Sequence, residues 1–231
     1  QIAELWAAGV AVCLPDLRGM GETAPGGSPG PWGLMTAHSS TEFMLGGTIV
    51  GAQLRDLRSV LHYIQSRDDL DTQRIGLWGD SFVPANPPDA DFRVPRRVDG
   101  RNRGPEPIGG LLALLGTLFE DEVCAVYVRG GLSDFQSVLA SQFVYIPHDV
   151  VIPGVLGTGD LCDVATALAP RPLRLDDVVD GCNRRRSTAI LEDLYQPAVD
   201  GYRRMRAAEK IVLDSPDTEP ASWLLEQVRT R

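Results

Sequence analysis

The 231-residue sequence is poor in the side chains that build metal and redox sites: it has three histidines and four cysteines. Cys13, Cys124, Cys162 and Cys182 show no CxxC or Cys/His ligand spacing, and His38, His62 and His148 are scattered, so no metal site is expected. Cys13 and Cys124 lie in apolar runs and are expected to be buried structural thiols. A basic surplus is also lacking. Twenty-two Lys+Arg stand against 31 Asp+Glu, a net charge of −9, with a pI near 4.8, which argues against nucleic acid as a partner. No run of 18 apolar residues occurs, so no membrane span is expected. There is no P-loop and no GxGxxG after a strand, and no cofactor is expected. Residue 1 is Gln rather than an initiator Met, and Gln1–Ala8 already reads as an amphipathic helix. The expectation is therefore a fragment, or one domain of a longer chain with further domains as partners.

What is present is an ordinary globular composition, 43% hydrophobic with a mean hydropathy of −0.08, in a length suited to one domain spanning residues 1–231. Short continuous apolar runs at Val10–Leu14, Arg74–Trp78, Val123–Val128, Pro172–Asp176 and Lys210–Leu213 read as buried strands. Between them, helices are predicted within Glu42–Arg67, over Ile108–Phe119, Gly159–Ala169 and Ser187–Ala208, and finally over Glu219–Val228. Within the first, Leu54, Leu57, Val60, Leu61 and Ile64 mark one face, while Gly46, Gly47 and Gly51 weaken its start. Gly19–Gly33 and the Pro/Arg-rich stretch 83–107 read as loops, the latter either solvated or a flap over a pocket. Alternation of strand and helix predicts an α/β fold: a mainly parallel sheet of five or six strands with helices on both faces. Such a sheet carries its chemistry beyond the carboxyl ends of its strands.

At one such end the sequence reads Gly79-Asp80-Ser81, half of a G-x-S-x-G nucleophile elbow. Val83 stands where the second glycine belongs, and Pro84, Pro87 and Pro88 interrupt the helix that should follow. Ser81 is expected in a tight turn at the end of a central strand. Other charged groups read as structural: Asp16 paired with Arg18, His62 on its helix, and Arg184-Arg185-Arg186 as solvated charge.

Three further stretches accompany that half-elbow. Gly9 to Glu22 contains Asp16-Leu17-Arg18-Gly19-Met20-Gly21, a D-x-R-G-x-G pattern. Asp56–Arg67, Asp71 and Arg74-Ile75-Gly76 form a helix and strand leading to Ser81. Leu168-Ala169-Pro170-Arg171-Pro172-Leu173 contains A-P-R-P-L. With these the chain resembles the α/β-hydrolase superfamily, nearest its acetyl xylan esterase and dienelactone-hydrolase-like branches, in a degenerate form that lacks the leading strands.

The resemblance implies a serine-type hydrolase of small-molecule or carbohydrate esters. Ser81 would attack the acyl carbon, with the Phe82 backbone N–H as one oxyanion donor and the other from before residue 1. Asp180 is expected as the orienting acid, with Asp176 and Asp177 also available. The histidine should lie between Asp214 and Pro220, near Pro216 or Asp217, but that loop has none. His148 is the candidate replacement, or else a turn residue paired with Asp149. The competing expectation is an inactive hydrolase-like domain used for binding or scaffolding.

Overall fold

A computed structural model describes residues 1–24, 31–90, 106–142, 146–215 and 218–229, with backbone alone over 31–37. Among them, four strands form one sheet in chain order: β1 (Ile75–Asp80), β2 (Val123–Arg129), β3 (Leu173–Asp176) and β4 (Ile211–Leu213). All three pairings are parallel. The helices are α1 (Ile2–Ala7), α2 (Pro31–Met44), α3 (Ile49–Gln65), α4 (Ile108–Phe119) and the short α5 (Gln136–Leu139). Then come α6 (Leu161–Ala167), α7 (Thr188–Leu194), α8 (Gln196–Arg204) and α9 (Pro220–Arg229).

The α/β expectation holds, with four strands among the described residues instead of five or six. β2 explains why its sequence is a continuous apolar run: every residue from Val123 to Val128 is buried, because helices cover both faces. On one face Val126, Val128, Leu173 and Leu175 pack with Leu168, Tyr195 and Tyr202 from the α6–α8 side. On the other, Cys124, Ala125 and Tyr127 meet Trp223, Leu224 and Val228 of α9. A further cluster joins Leu57 and Leu61 of α3 to Leu111 and Leu112 of α4. Each fully buried Leu or Val side chain contributes about 1.5–3 kcal/mol, so these shared faces fix the sheet between its helices.

Several elements differ from expectation. Val10–Leu14 is not a strand: it bonds to no strand among the described residues, and Val12 and Leu14 are 38% and 75% exposed. Its Val10 N–H donates to the Leu5 carbonyl (2.9 Å) rather than to a strand, and an apolar composition alone does not make a ladder. Cys13, within it, is exposed, while Cys124 is buried as expected.

The long helix predicted within Glu42–Arg67 is two helices. Gly46 leaves α2 through a left-handed φ of 79°, and the Thr48 hydroxyl accepts the Gly51 N–H (3.0 Å) to start α3. α2 begins at Pro31, inside the stretch expected as loop, because proline suits a helix's first turn. Ser187–Ala208 likewise splits at Tyr195, next to Pro197, which has no N–H to carry a helix through. Arg18 pairs not with Asp16 but with Asp56 (2.7 and 2.6 Å), and Asp16 instead accepts the Glu22 N–H. Of the 83–107 stretch, residues 91–105, with Arg93, Arg96, Arg97, Arg101 and Arg103, lie outside the described residues.

Candidate active site

Ser81 follows directly on β1, and its N–H donates to the Arg129 carbonyl (2.9 Å), carrying the pairing with β2 one residue past the strand. β1 is an edge strand of the described sheet, not the central strand expected for Ser81. The turn is nevertheless crowded. A Cβ on Gly79 would lie 2.2 Å from the Gly109 carbonyl oxygen, and one on Gly109 would lie 2.7 Å from that of Asp80. A Cβ on Gly110 would lie 2.6 Å from Val128, and one on Gly130 would lie 2.9 Å from the Ser81 Cβ. Four glycines thus let the start of α4 and the end of β2 close around the end of β1.

The small residue that an elbow needs after its serine is absent at Val83, yet Gly109-Gly110 meets the same packing demand after the intervening stretch. Gly109, Gly110 and Gly130 were not singled out from sequence. The available signal was a Gly-Gly pair opening a mostly apolar helix and another following a mostly apolar strand.

No helix starts at Phe82, which is 84% exposed, so its expected oxyanion N–H has no helix dipole behind it. The chain instead crosses the sheet's carboxyl end to the turn at 180–184. There the Asn86 N–H donates to the Asn183 carbonyl (2.7 Å), the Asn86 amide to that of Cys182 (2.9 Å), and the Asn183 amide to that of Pro84 (3.0 Å).

Asp180 directs its Oδ1 to this same turn, accepting the N–H groups of Cys182 (2.8 Å) and Arg184 (3.0 Å). This is the turn-forming role of an Asx residue. The other carboxylates at the strand ends are paired with arginines. Asp80 is held at both oxygens by Arg129 (2.9 and 2.5 Å). Asp176 is buried against Arg174 (2.6 Å) and accepts the Tyr127 hydroxyl (3.0 Å) and the Ser215 N–H (3.2 Å). Burial, and then the Asp176 charge, push the Tyr127 hydroxyl pKa well above its usual value.

Asp177 and Asp214, which follow β3 and β4, both take left-handed backbone angles (φ 52° and 54°), and Arg185 bridges their carboxylates at 2.6 and 2.8 Å. Burial pushes the Asp214 carboxyl up, but hydrogen bonds from Arg185 and Thr188 outweigh it and hold the group below the usual carboxylate range. Arg185 is exposed as expected of solvated charge, though ion-paired, while Arg184 and Arg186 are partly buried. Arg184 donates to the Ala90 carbonyl (2.9 Å) and Arg186 to the Ser133 hydroxyl (3.2 Å).

All three histidines lie within the described residues, and none hydrogen-bonds to Ser81 or Asp180. His62 faces Glu120 (3.6 Å), just before β2. That is the amino end of the sheet, about 20 Å of strand away from Ser81. His38 is exposed on α2. His148 is exposed at the start of a 3-10 turn, where its carbonyl accepts the Ser39 hydroxyl (2.9 Å). Asp149 beside it does not form the expected pair: its Oδ1 is buried without a hydrogen-bond partner, and burial pushes the carboxyl up to about 6. Of the loop after β4, Pro216 and Asp217 lie outside the described residues. An apolar cavity of about 250 Å³ opens between α4, α6 and residues 152–159, and neither Ser81, Asp180 nor His148 lines it.

No protein-family model matches the sequence, and no curated protein matches it. Among solved structures, the chain is similar to a Bacteroides fragilis protein provisionally named an acetyl xylan esterase, with a TM-score of 0.57 at 14% identity. The match covers 87% of this chain and 46% of that one, so this chain spans less than half of that protein's length. At this identity the likeness establishes a shared, esterase-like α/β fold.

Proposed function

We propose that the chain is a hydrolase-like domain of the α/β-hydrolase lineage, with Ser81 at the nucleophile's position. In this reading, residues 1–231 do not hydrolyse esters at an enzyme's rate. The lineage is supported by the serine-bearing strand end crowded by Gly79, Gly109 and Gly110, and by the fold shared with an esterase. The loss of turnover rests on Arg185. A working triad needs an imidazole beside a carboxylate, to take the serine proton and return it to the leaving group. Here the carboxylates after β3 and β4 share a guanidinium, which stays protonated at any accessible pH and cannot serve as a base. Without a base, Ser81 is a weak nucleophile at neutral pH. The domain's role is then to bind or to scaffold, and a small-molecule or carbohydrate ester is the ligand class its lineage fits.

An activated serine reacts with fluorophosphonates, and an ordinary one does not. Intact-mass analysis of the chain after hours with excess probe is expected to find Ser81 unmodified. Stoichiometric labelling that disappears in Ser81→Ala would overturn the proposal.

A further inference from the structure

We infer that the cavity between α4 and α6 is a binding site for one straight aliphatic chain of about eight carbons with an ammonium head. The inference begins with α4, a helix apolar on almost every side, which needs cover all round. The sheet and α3 supply most of it, burying Leu111, Leu112 and Leu114. Toward α6 the cover is incomplete, and Leu115 and Leu118 are only half-buried.

Leu111, Leu115 and Leu118 share one side of α4, in a row about 10 Å long. Val164 and Ala167 of α6 face them, and Val155 closes a third side. The enclosed volume of about 250 Å³ exceeds the roughly 150 Å³ of an apolar cavity that holds benzene, and falls just short of the ~300 Å³ where drug-sized pockets begin. At about 30 Å³ for each water-sized group, it takes about eight methylenes. Water is a poor occupant, because an ordered water needs about two to four polar partners and these walls are almost all hydrocarbon. An extended chain as long as the leucine row fills the space better than a ring does.

The rim selects the head group. Asp160 and Asp163 both border the cavity. Asp160 accepts the N–H groups of Phe135 (2.7 Å) and Gln136 (3.1 Å), and Asp163 accepts that of Asp160 (2.8 Å). These bonds hold the carboxylates in place without cancelling their charge. Asp80, Asp134, Asp176, Asp177 and Asp214 each pair with an arginine, whereas Asp160 and Asp163 pair with no Lys, Arg or His among the described residues. A carboxylate head is repelled there and an ammonium head attracted, and the net charge of −9 acts in the same direction.

Affinity therefore comes from the walls, at about fourfold for each methylene buried, and the choice of head group from the rim. Neither Ser81 nor Asp180 lines the cavity, so the site does not depend on whether Ser81 is activated.

The test titrates the intact chain with n-octylammonium chloride and follows methyl groups by NMR. Saturable shifts are expected at Leu115, Leu118 and Val164, while Leu224 and Val228, packed on the other face of the sheet, stay fixed. Octanoate and n-butylammonium are each expected to bind at least tenfold more weakly. Ala167→Phe, which places a ring at the cavity's edge, is expected to weaken n-octylammonium at least tenfold. Asp163→Asn keeps an acceptor for the Asp160 N–H and is expected to narrow the gap between n-octylammonium and octanoate. No saturable shift in the parent chain, which is also the outcome if a segment of the chain itself fills the cavity, would overturn the proposal. Octanoate binding as tightly as n-octylammonium, equal shifts at Leu224 and Val228, or unchanged binding in Ala167→Phe would overturn it too.

Discussion

Asp149 and Arg174 are titratable side chains that folding has taken out of water, with opposite consequences. The Asp149 carboxyl is raised by burial to about 6 from 3.8, and Glu106 adds a smaller push in the same direction. A carboxyl raised by folding binds its proton more tightly in the native state. Its contribution to stability is therefore fully present below pH about 4 and is lost as pH rises through about 6. At 1.36 kcal/mol per pH unit, the loss is on the order of 3 kcal/mol. Asp149→Asn is expected to raise stability at pH 7.5 by up to about 3 kcal/mol and to leave it nearly unchanged at pH 4. Urea unfolding at both pH values checks this, and an equal effect at the two would contradict it.

Arg174 is 1% exposed, lies over the Tyr127 ring and pairs with Asp176, while its Nη2 donates to the carbonyls of Ser215 and Thr218. Breaking one partner of such a pair leaves a buried, uncompensated charge, at a cost of about 3–5 kcal/mol. Arg174→Met is expected to lose that much stability. Arg174→Met combined with Asp176→Asn is expected to lose less than the sum of the two single changes, because the orphaned charge is gone. Additive losses in denaturant unfolding would show that the pair is not coupled.

Among the elements, the decisive contacts involve residues without side chains. Gly79 and Gly109 sit where a methyl group would run into backbone, which cannot swing aside as a side chain can. Gly79→Ala and Gly109→Ala are each expected to destabilise by about 2–3 kcal/mol, the upper range for overpacking. Gly157→Ala meets nothing within 4 Å and is expected to stay within about 0.5 kcal/mol of the parent. Thermal or urea unfolding of the three variants tests the crowding at Ser81 without reference to activity.

The same scale explains what could be read from sequence. Ile108–Phe119 was legible to the residue, because an apolar helix between Pro107 and Glu120 leaves one reading. β2 was legible because burial on both faces gives a continuous apolar run, whereas β3 carries Arg174 and Asp176 and β4 is only partly buried, so those two were legible from their leucines, isoleucine and valine alone. Val10–Leu14 has a similar composition but pairs with no strand among the described residues, and pairing is a property of the neighbour, not of the run. The breaks near Gly46 and Pro197 were written in the sequence as helix-ending residues, yet the long apolar periodicity outweighed them. At the site, Ser81 was legible from Gly79-Asp80-Ser81. The bridge of Asp177 and Asp214 by Arg185 was not, because it joins three loops distant in sequence through side-chain geometry.

For the whole molecule, the parallel sheet brings Ser81, Asp177, Asp180 and Asp214 to strand ends or the loops that follow them, and the connections decide what each can do. Asp180 is committed to its own turn, Asp177 and Asp214 to Arg185, and His62 to the opposite end of the sheet. An esterase-like α/β fold is thus present, with a guanidinium between the Asp177 and Asp214 carboxylates. Loss of a triad member costs orders of magnitude in rate, and what survives comes from binding and oxyanion contacts alone. The most direct measurement is the hydrolysis of p-nitrophenyl acetate by the purified chain and by Ser81→Ala, at neutral pH and equal concentration. The account predicts rates that agree within about twofold, both near that of an unrelated protein surface. A parent rate tenfold or more above Ser81→Ala would contradict it, by demonstrating that a base does reach Ser81.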